Sequence, residues 1–179
     1  MDTRKHSKRL AYVLRHAPDA VGLTLGDGGW VSIRDLLAGF ARKGWTLTRQ
    51  QLDHVVATND KQRFTVSADG LRIRAAQGHS VAFASDLVPV SPPALLYHGT
   101  ATRFLDDIWT RGVQPMSRQH VHLSVDIATA TRVGQRHGKP VILAVAAERM
   151  AEDGLLFYRA DNGVWLTASV APAYLSIAD

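Results

Sequence analysis

The stretch Ser85-Asp86-Leu87-Val88-Pro89-Val90-Ser91-Pro92-Pro93-Ala94 carries three of the chain's seven prolines and no helical period. Proline has no N–H to donate and pushes the residue before it out of the α region, so such a run interrupts regular structure. It reads as a linker near the middle of a 179-residue chain, and predicts one lobe over 1–84 and another over 95–179. With 46% hydrophobic residues, the chain can bury one good core or two modest ones, which excludes disorder and fibrous repeats.

On the N-terminal side of the linker, Leu10, Val13 and Leu14 are spaced for a helix over 3–16 with a basic outer face, ended by Pro18. Gly26-Asp27-Gly28-Gly29-Trp30-Val31 predicts a turn into a short strand. Ser32 should cap a helix over Ile33–Lys43 that stops at Gly44, and Thr48 should cap a third over Thr48–Asn59. Phe64 and Val66, a turn at Ala68-Asp69-Gly70, then Leu71 and Ile73, read as a hairpin. Three short helices followed by a hairpin is the order of a winged helix, a unit used for nucleic-acid binding and also for protein docking.

On the C-terminal side, strands are expected at Leu95–His98, Val121–Ser124, Val141–Ala146, Leu155–Tyr158, Val164–Thr167 and around Tyr174–Ile177. Helices are expected at Thr102–Gly112 and Ile127–His137. This half is a β-rich lobe, and the whole chain belongs to the α+β class.

Charge divides the same way. Residues 1–91 hold 13 basic and 8 acidic side chains, and 92–179 hold 8 of each, so the whole net charge of +5 lies in the first half. That lobe would attract a polyanion such as RNA or DNA. The absence of cysteine excludes disulfides, thiolate metal sites and thiol nucleophiles. Neither a signal peptide nor a membrane span is evident, and the expectation is a cytoplasmic monomer with no membrane partner.

Phosphate-binding loops of the Gly-x-Gly-x-x-Gly or Gly-x-x-x-x-Gly-Lys-[Ser/Thr] type are missing. Instead, arginines and histidines cluster beside small residues: Arg15-His16, Lys61-Gln62-Arg63, His79, His98-Gly99-Thr100 and Arg118-Gln119-His120-Val121-His122. His98, His120 and His122 could together bind a metal. The arginines argue against it, since they repel a cation, and no metal is expected. Guanidinium gives permanently charged, bidentate contacts to phosphate, so an anionic ligand is favoured. Taken singly, each arginine reads equally as a solvated side chain, and each histidine as a hydrogen-bonded core or surface residue.

Arg15-His16-Ala17-Pro18, Lys61-Gln62-Arg63-Phe64, Ala76-Gln77-Gly78-His79-Ser80, Leu96-Tyr97-His98-Gly99-Thr100 and Met116-Ser117-Arg118-Gln119-His120-Val121-His122-Leu123-Ser124 occur in order. In this combination the chain resembles the NAD-dependent RNA 2′-phosphotransferases, which remove the splice-junction 2′-phosphate from tRNA. The resemblance spans nearly the whole chain and implies a winged-helix lobe followed by an ADP-ribosyltransferase-like lobe, with NAD+ bound in a cleft. It implies a catalytic set of Arg15, His16, Arg63 and Arg118. NAD+ would be positioned by His98, Gly99, Thr100, His122 and Ser124, with Val164 where related transferases carry a glutamate.

Loss of that glutamate is chemically consistent, because a hydroxyl acceptor needs a base whereas an RNA 2′-phosphate is already anionic. The implied partner is 2′-phosphorylated, tRNA-like RNA. Two other readings stay open. One is an ADP-ribosyltransferase acting on terminal phosphates of RNA or DNA, stopping after one step. The other is a winged-helix binding protein with an inert second lobe.

Overall fold

A computed structural model describes residues 2–178. The chain mixes helices with small antiparallel sheets, in the α+β class, and divides into two compact units, Met1–Asp86 and Leu87–Asp179.

In the first unit, α1 (Thr3–Arg15) starts where the Asp2 carboxylate accepts the Lys5 N–H at 2.9 Å, and it buries Leu10, Val13 and Leu14. A short 3-10 turn at Pro18–Val21 follows. β1 (Val31–Ser32) leads straight into α2 (Ile33–Arg42), whose first turn is capped by the Ser32 hydroxyl accepting from the Asp35 N–H. α3 (Arg49–Ala57) opens with a reciprocal cap between Thr48 and Gln51. β2 (Phe64–Val66) and β3 (Arg72–Ala75) form the hairpin, and β1 adds to β3, giving the order β1-β3-β2. Leu10, Leu14, Leu36, Phe40, Leu52, Val55, Phe64 and Ile73 meet in one core.

Two details differ from the sequence reading. The third helix ends at Ala57, because the Asn59 side chain leaves the helix, accepting the Arg63 N–H and donating to Ser7 Oγ. Leu71 is not a strand residue: it is 65% exposed beside the turn, and the inward face of β3 is Ile73 and Ala75.

The second unit holds two three-stranded antiparallel sheets. β4 (Leu95–Ala101), β6 (Pro140–Ala146) and β9 (Leu175–Ile177) run in the order β4-β6-β9. β5 (Val121–Leu123), β7 (Phe157–Arg159) and β8 (Trp165–Thr167) run in the order β5-β8-β7. The sheets are stitched at one point, where Tyr97 and Ser124 exchange both main-chain hydrogen bonds at 2.8 Å. Leu96, Leu123, Leu143, Val145, Met150, Phe157 and Trp165 form the core.

Each expected helix here is shorter than its apolar pattern. α4 (Leu105–Arg111) follows a 3-10 turn at Thr102–Phe104, and α5 (Ile127–Gly134) tightens into another at Gln135–His137. α6 (Ala147–Glu152) was not anticipated: it continues directly from an apolar strand and lacks a side-chain cap.

α5 packs on β4 through glycine. A Cβ at Gly99 would overlap the carbonyl oxygen of Ala130, and one at Gly134 would lie 2.6 Å from the Thr100 oxygen. The absent side chains let the helix backbone rest on the strand, which fixes where His98 sits.

Candidate active site

In the first unit, the chain leaving β3 folds back along three of the expected residues. Ala76 N–H donates to the Arg63 carbonyl at 2.9 Å. Gly78, at φ +88°, presents its bare Cα to the Arg15 guanidinium, whose carbon would lie 3.7 Å from a Cβ there. Ser80 N–H donates to the Arg15 carbonyl at 2.9 Å, and its hydroxyl lies 2.9 Å from His16 Nδ1. One five-residue segment thus orders Arg63, Arg15 and His16. His16 itself closes the C-terminus of α1, its N–H bonded to the Tyr12 carbonyl, so its ring emerges from the helix end. Arg63 joins the group through its main chain.

His79, inside this segment, is buried at 7% exposure and packs edge-on against Phe83 at 4.6 Å. Its Nε2 has no hydrogen-bond partner among the described residues. Burial first, then the charges of Arg15, His16 and Arg74, push its pKa down to about 4, so the ring is neutral at neutral pH. A neutral ring beside Arg15 and His16 fills space without adding positive charge. In the sequence, His79 and Ser80 belong to the motif Ala76-Gln77-Gly78-His79-Ser80, which points to no role for either of them.

In the second unit, the stitch between the sheets brings His98 and His122 together. His98 Nδ1 lies 3.3 Å from the His122 carbonyl, which can only accept, so Nδ1 carries the proton and Nε2 is left as an acceptor. Burial is the main cause that pulls the His98 pKa below its ordinary value, with His137 and Arg118 adding to it. Arg118 lies 3.0 Å from His122 Nδ1. A guanidinium can only donate, so His122 Nδ1 is the acceptor and its proton resides on Nε2. Partial burial, and secondarily Arg136, lower the Arg118 pKa, and among the described residues no carboxylate pairs with it. Arg118 is nonetheless exposed, and an exposed arginine near another arginine, with no carboxylate partner among the described residues, is available to an anionic ligand.

The remaining expected positions divide. Ser124 is at the stitch itself, one residue after β5. Val164 lies one residue beyond the Leu123–Trp165 pair, at the same strand end as Ser124, and its carbonyl accepts from Ala160. Thr100 is buried at 5% exposure. Gly99, which the resemblance gives to NAD+, lies against the backbone of α5. The three-imidazole arrangement does not form. His120 packs on Tyr158 at 5.6 Å, His122 Nδ1 is held by Arg118, and no group of three or more His, Asp or Glu among the described residues could hold a metal.

Residues 1–169 match a protein-family model described as RNA 2′-phosphotransferase, Tpt1/KptA family. The chain is similar to a protein of Pectobacterium carotovorum subsp. carotovorum (strain PC1) named "Probable RNA 2′-phosphotransferase". The two are 54% identical over 179 residues, covering 98% of this chain and 96% of that protein. Proteins of the same name from Agrobacterium fabrum and Pseudomonas aeruginosa are each 56% identical. They cover 96% and 94% of this chain, and 92% and 93% of their own lengths.

Proposed function

Because the chain belongs to the Tpt1/KptA family of RNA 2′-phosphotransferases, we propose that this enzyme removes an internal 2′-phosphate from RNA by transferring it to NAD+. The observation that carries this reading is the Arg118–His122–His98 cluster: a guanidinium without a counter-ion, joined to two histidines whose tautomers are set. In this reading the first unit is a winged-helix RNA-binding lobe over 1–84. Residues 85–94 are the linker, and 95–179 form the ADP-ribosyltransferase-like lobe.

The residues suit a dinucleotide of this kind. Its ribose hydroxyls need acceptors, which His98 Nε2 offers, with His122 beside it. Ser124 and Val164, at one strand end, complete the set in this reading. Gly99 and Thr100 support it from within the strand. When bound, NAD+ supplies an electrophilic ribose carbon with nicotinamide as its leaving group.

The chemistry then needs no base at the start. The RNA 2′-phosphate, already anionic, attacks the nicotinamide-ribose C1″ and nicotinamide departs, giving a 2′-phospho-ADP-ribosylated RNA. In the second step the ribose O2″ attacks that phosphorus. RNA leaves with a 2′-hydroxyl, and ADP-ribose 1″,2″-cyclic phosphate is released. Arg15, Arg63 and Arg118 supply permanent positive charge to phosphate oxygens as phosphorus gains its fifth ligand. His16 exchanges the proton of the second step.

The test is incubation of the protein with a 2′-phosphorylated oligonucleotide and NAD+, with mass analysis of both products. ADP-ribose cyclic phosphate with 2′-hydroxyl RNA supports the proposal. ADP-ribose retained on the nucleic acid would favour a one-step transferase acting on phosphates, and no consumption of NAD+ would favour an RNA-binding protein without catalysis.

A further inference from the structure

We propose that the outer ridge of α1 is a track for the RNA strand that flanks the reacting 2′-phosphate, an inference resting on the phosphotransfer reading above. α1 carries Arg4, Lys5, Lys8, Arg9 and Arg15 and no acidic residue from Thr3 to Arg15. Burial of Leu10, Val13 and Leu14 fixes which way the remaining side chains face. Lys5, Lys8, Tyr12 and His16 are all exposed, and they are three or four residues apart, so they follow one another along a single ridge. Arg9 is turned away from it, its guanidinium stacked 4.8 Å from the centre of the Trp45 ring.

The ridge runs into the candidate site, because its last member is His16, held by Ser80. From residue 5 to residue 16 it is about 16 Å long at 1.5 Å per residue, enough for more than one nucleotide. Tyr12, 48% exposed, sits between Lys8 and His16. Cations interleaved with an aromatic face are how proteins hold single-stranded nucleic acid: the charges follow the phosphates and the ring stacks on a base. The lysines alone would suit any acidic partner. The tyrosine that follows them and the continuity with His16 select an RNA strand.

The experiment compares two 2′-phosphorylated substrates on the full chain, a dinucleotide and an oligonucleotide extended by several nucleotides on both sides, with NAD+ saturating. The expected result is a KM at least tenfold lower for the longer substrate. The Lys5→Ala/Lys8→Ala pair and Tyr12→Ala should each erase most of that gain, while Tyr12→Phe keeps it. For the longer substrate, the log–log dependence of KM on salt should become shallower by about 0.7 for each lysine removed. A wild type without the length gain, or a gain that survives in both variants, overturns the ridge and leaves phosphotransfer standing. The latter result would assign the ridge to an acidic protein partner. Absence of turnover with either substrate overturns the phosphotransfer reading, and the ridge with it.

Discussion

The imidazole of His16 and the hydroxyl of Ser80 meet at 2.9 Å although 64 residues separate them in sequence. The contact occupies Nδ1 of the ring that closes α1. In the proposed mechanism His16 transfers a proton, which requires an oriented ring, and the Ser80 contact is what would orient it. Ser80→Ala should therefore slow the second chemical step by about tenfold, the scale of one net hydrogen bond. His16→Ala should slow it much further. In both variants the ADP-ribosylated RNA should build up, detectable by gel or mass analysis in single-turnover reactions. If Ser80→Ala slows consumption of NAD+ as strongly as release of the cyclic phosphate, the hydroxyl does not act through His16.

His79 makes a measurable contribution to acid sensitivity. Its folded pKa, about 4, is below the ordinary value of 6.5, so between those values the unfolded chain binds a proton that the folded chain does not. Stability contributed by the neutral ring is fully present above pH 6.5, declines as pH falls, and is gone below about pH 4. The slope from this group alone is at most about 1.4 kcal/mol per pH unit. Urea denaturation of wild type and His79→Gln from pH 4 to 7 measures it, since the variant should show a flatter profile. Equal slopes would mean that His79 stays solvated in the native protein.

Arg118 is expected to be intolerant of conservative change. Its guanidinium donates to His122 Nδ1 with one nitrogen, and in the proposed reading the others contact a phosphate. A lysine ammonium at this position has no fork with which to do both. Arg118→Ala should lower kcat/KM by about a hundredfold or more, and Arg118→Lys should recover little of it. Arg63→Ala should behave similarly toward 2′-phosphorylated RNA. Near-normal turnover in either alanine variant would remove that arginine from the chemistry.

The starts of α2 and α3 are legible in the sequence because their caps are local: Ser32 and Thr48 each accept an N–H three residues onward. Helix ends were less legible. Asn59 leaves α3 because its amide bonds to Ser7 and Arg63, and the first of those partners is distant in sequence. α6 went unread because Ala147-Glu148-Arg149-Met150-Ala151-Glu152 prolongs an apolar strand and carries no capping side chain. For the site, residue types and motif order pointed to Arg15, His16, Arg63 and Arg118. What they could not give was protonation, since the tautomers of His98 and His122 depend on a carbonyl and a guanidinium brought in by tertiary contact. The burial of His79 is hidden for the same reason.

Gly99 separates packing from cofactor contact. Its position beside His98 invites the reading that a side chain there would obstruct a ligand, yet a Cβ would first overlap the Ala130 carbonyl of α5. Backbone cannot yield as a flexible side chain can, so Gly99→Ala must push the helix off β4. The expected loss is about 2–3 kcal/mol in the stability of the C-terminal unit, at the upper end for overpacking, read as a lower urea midpoint by a probe on Trp165. Gly134→Ala, which meets the Thr100 oxygen from the other side of the same contact, should show a loss of similar kind. If Gly99→Ala instead keeps wild-type stability and loses only NAD+ binding, the glycine serves the ligand, and the close approach of α5 to β4 is not what requires it.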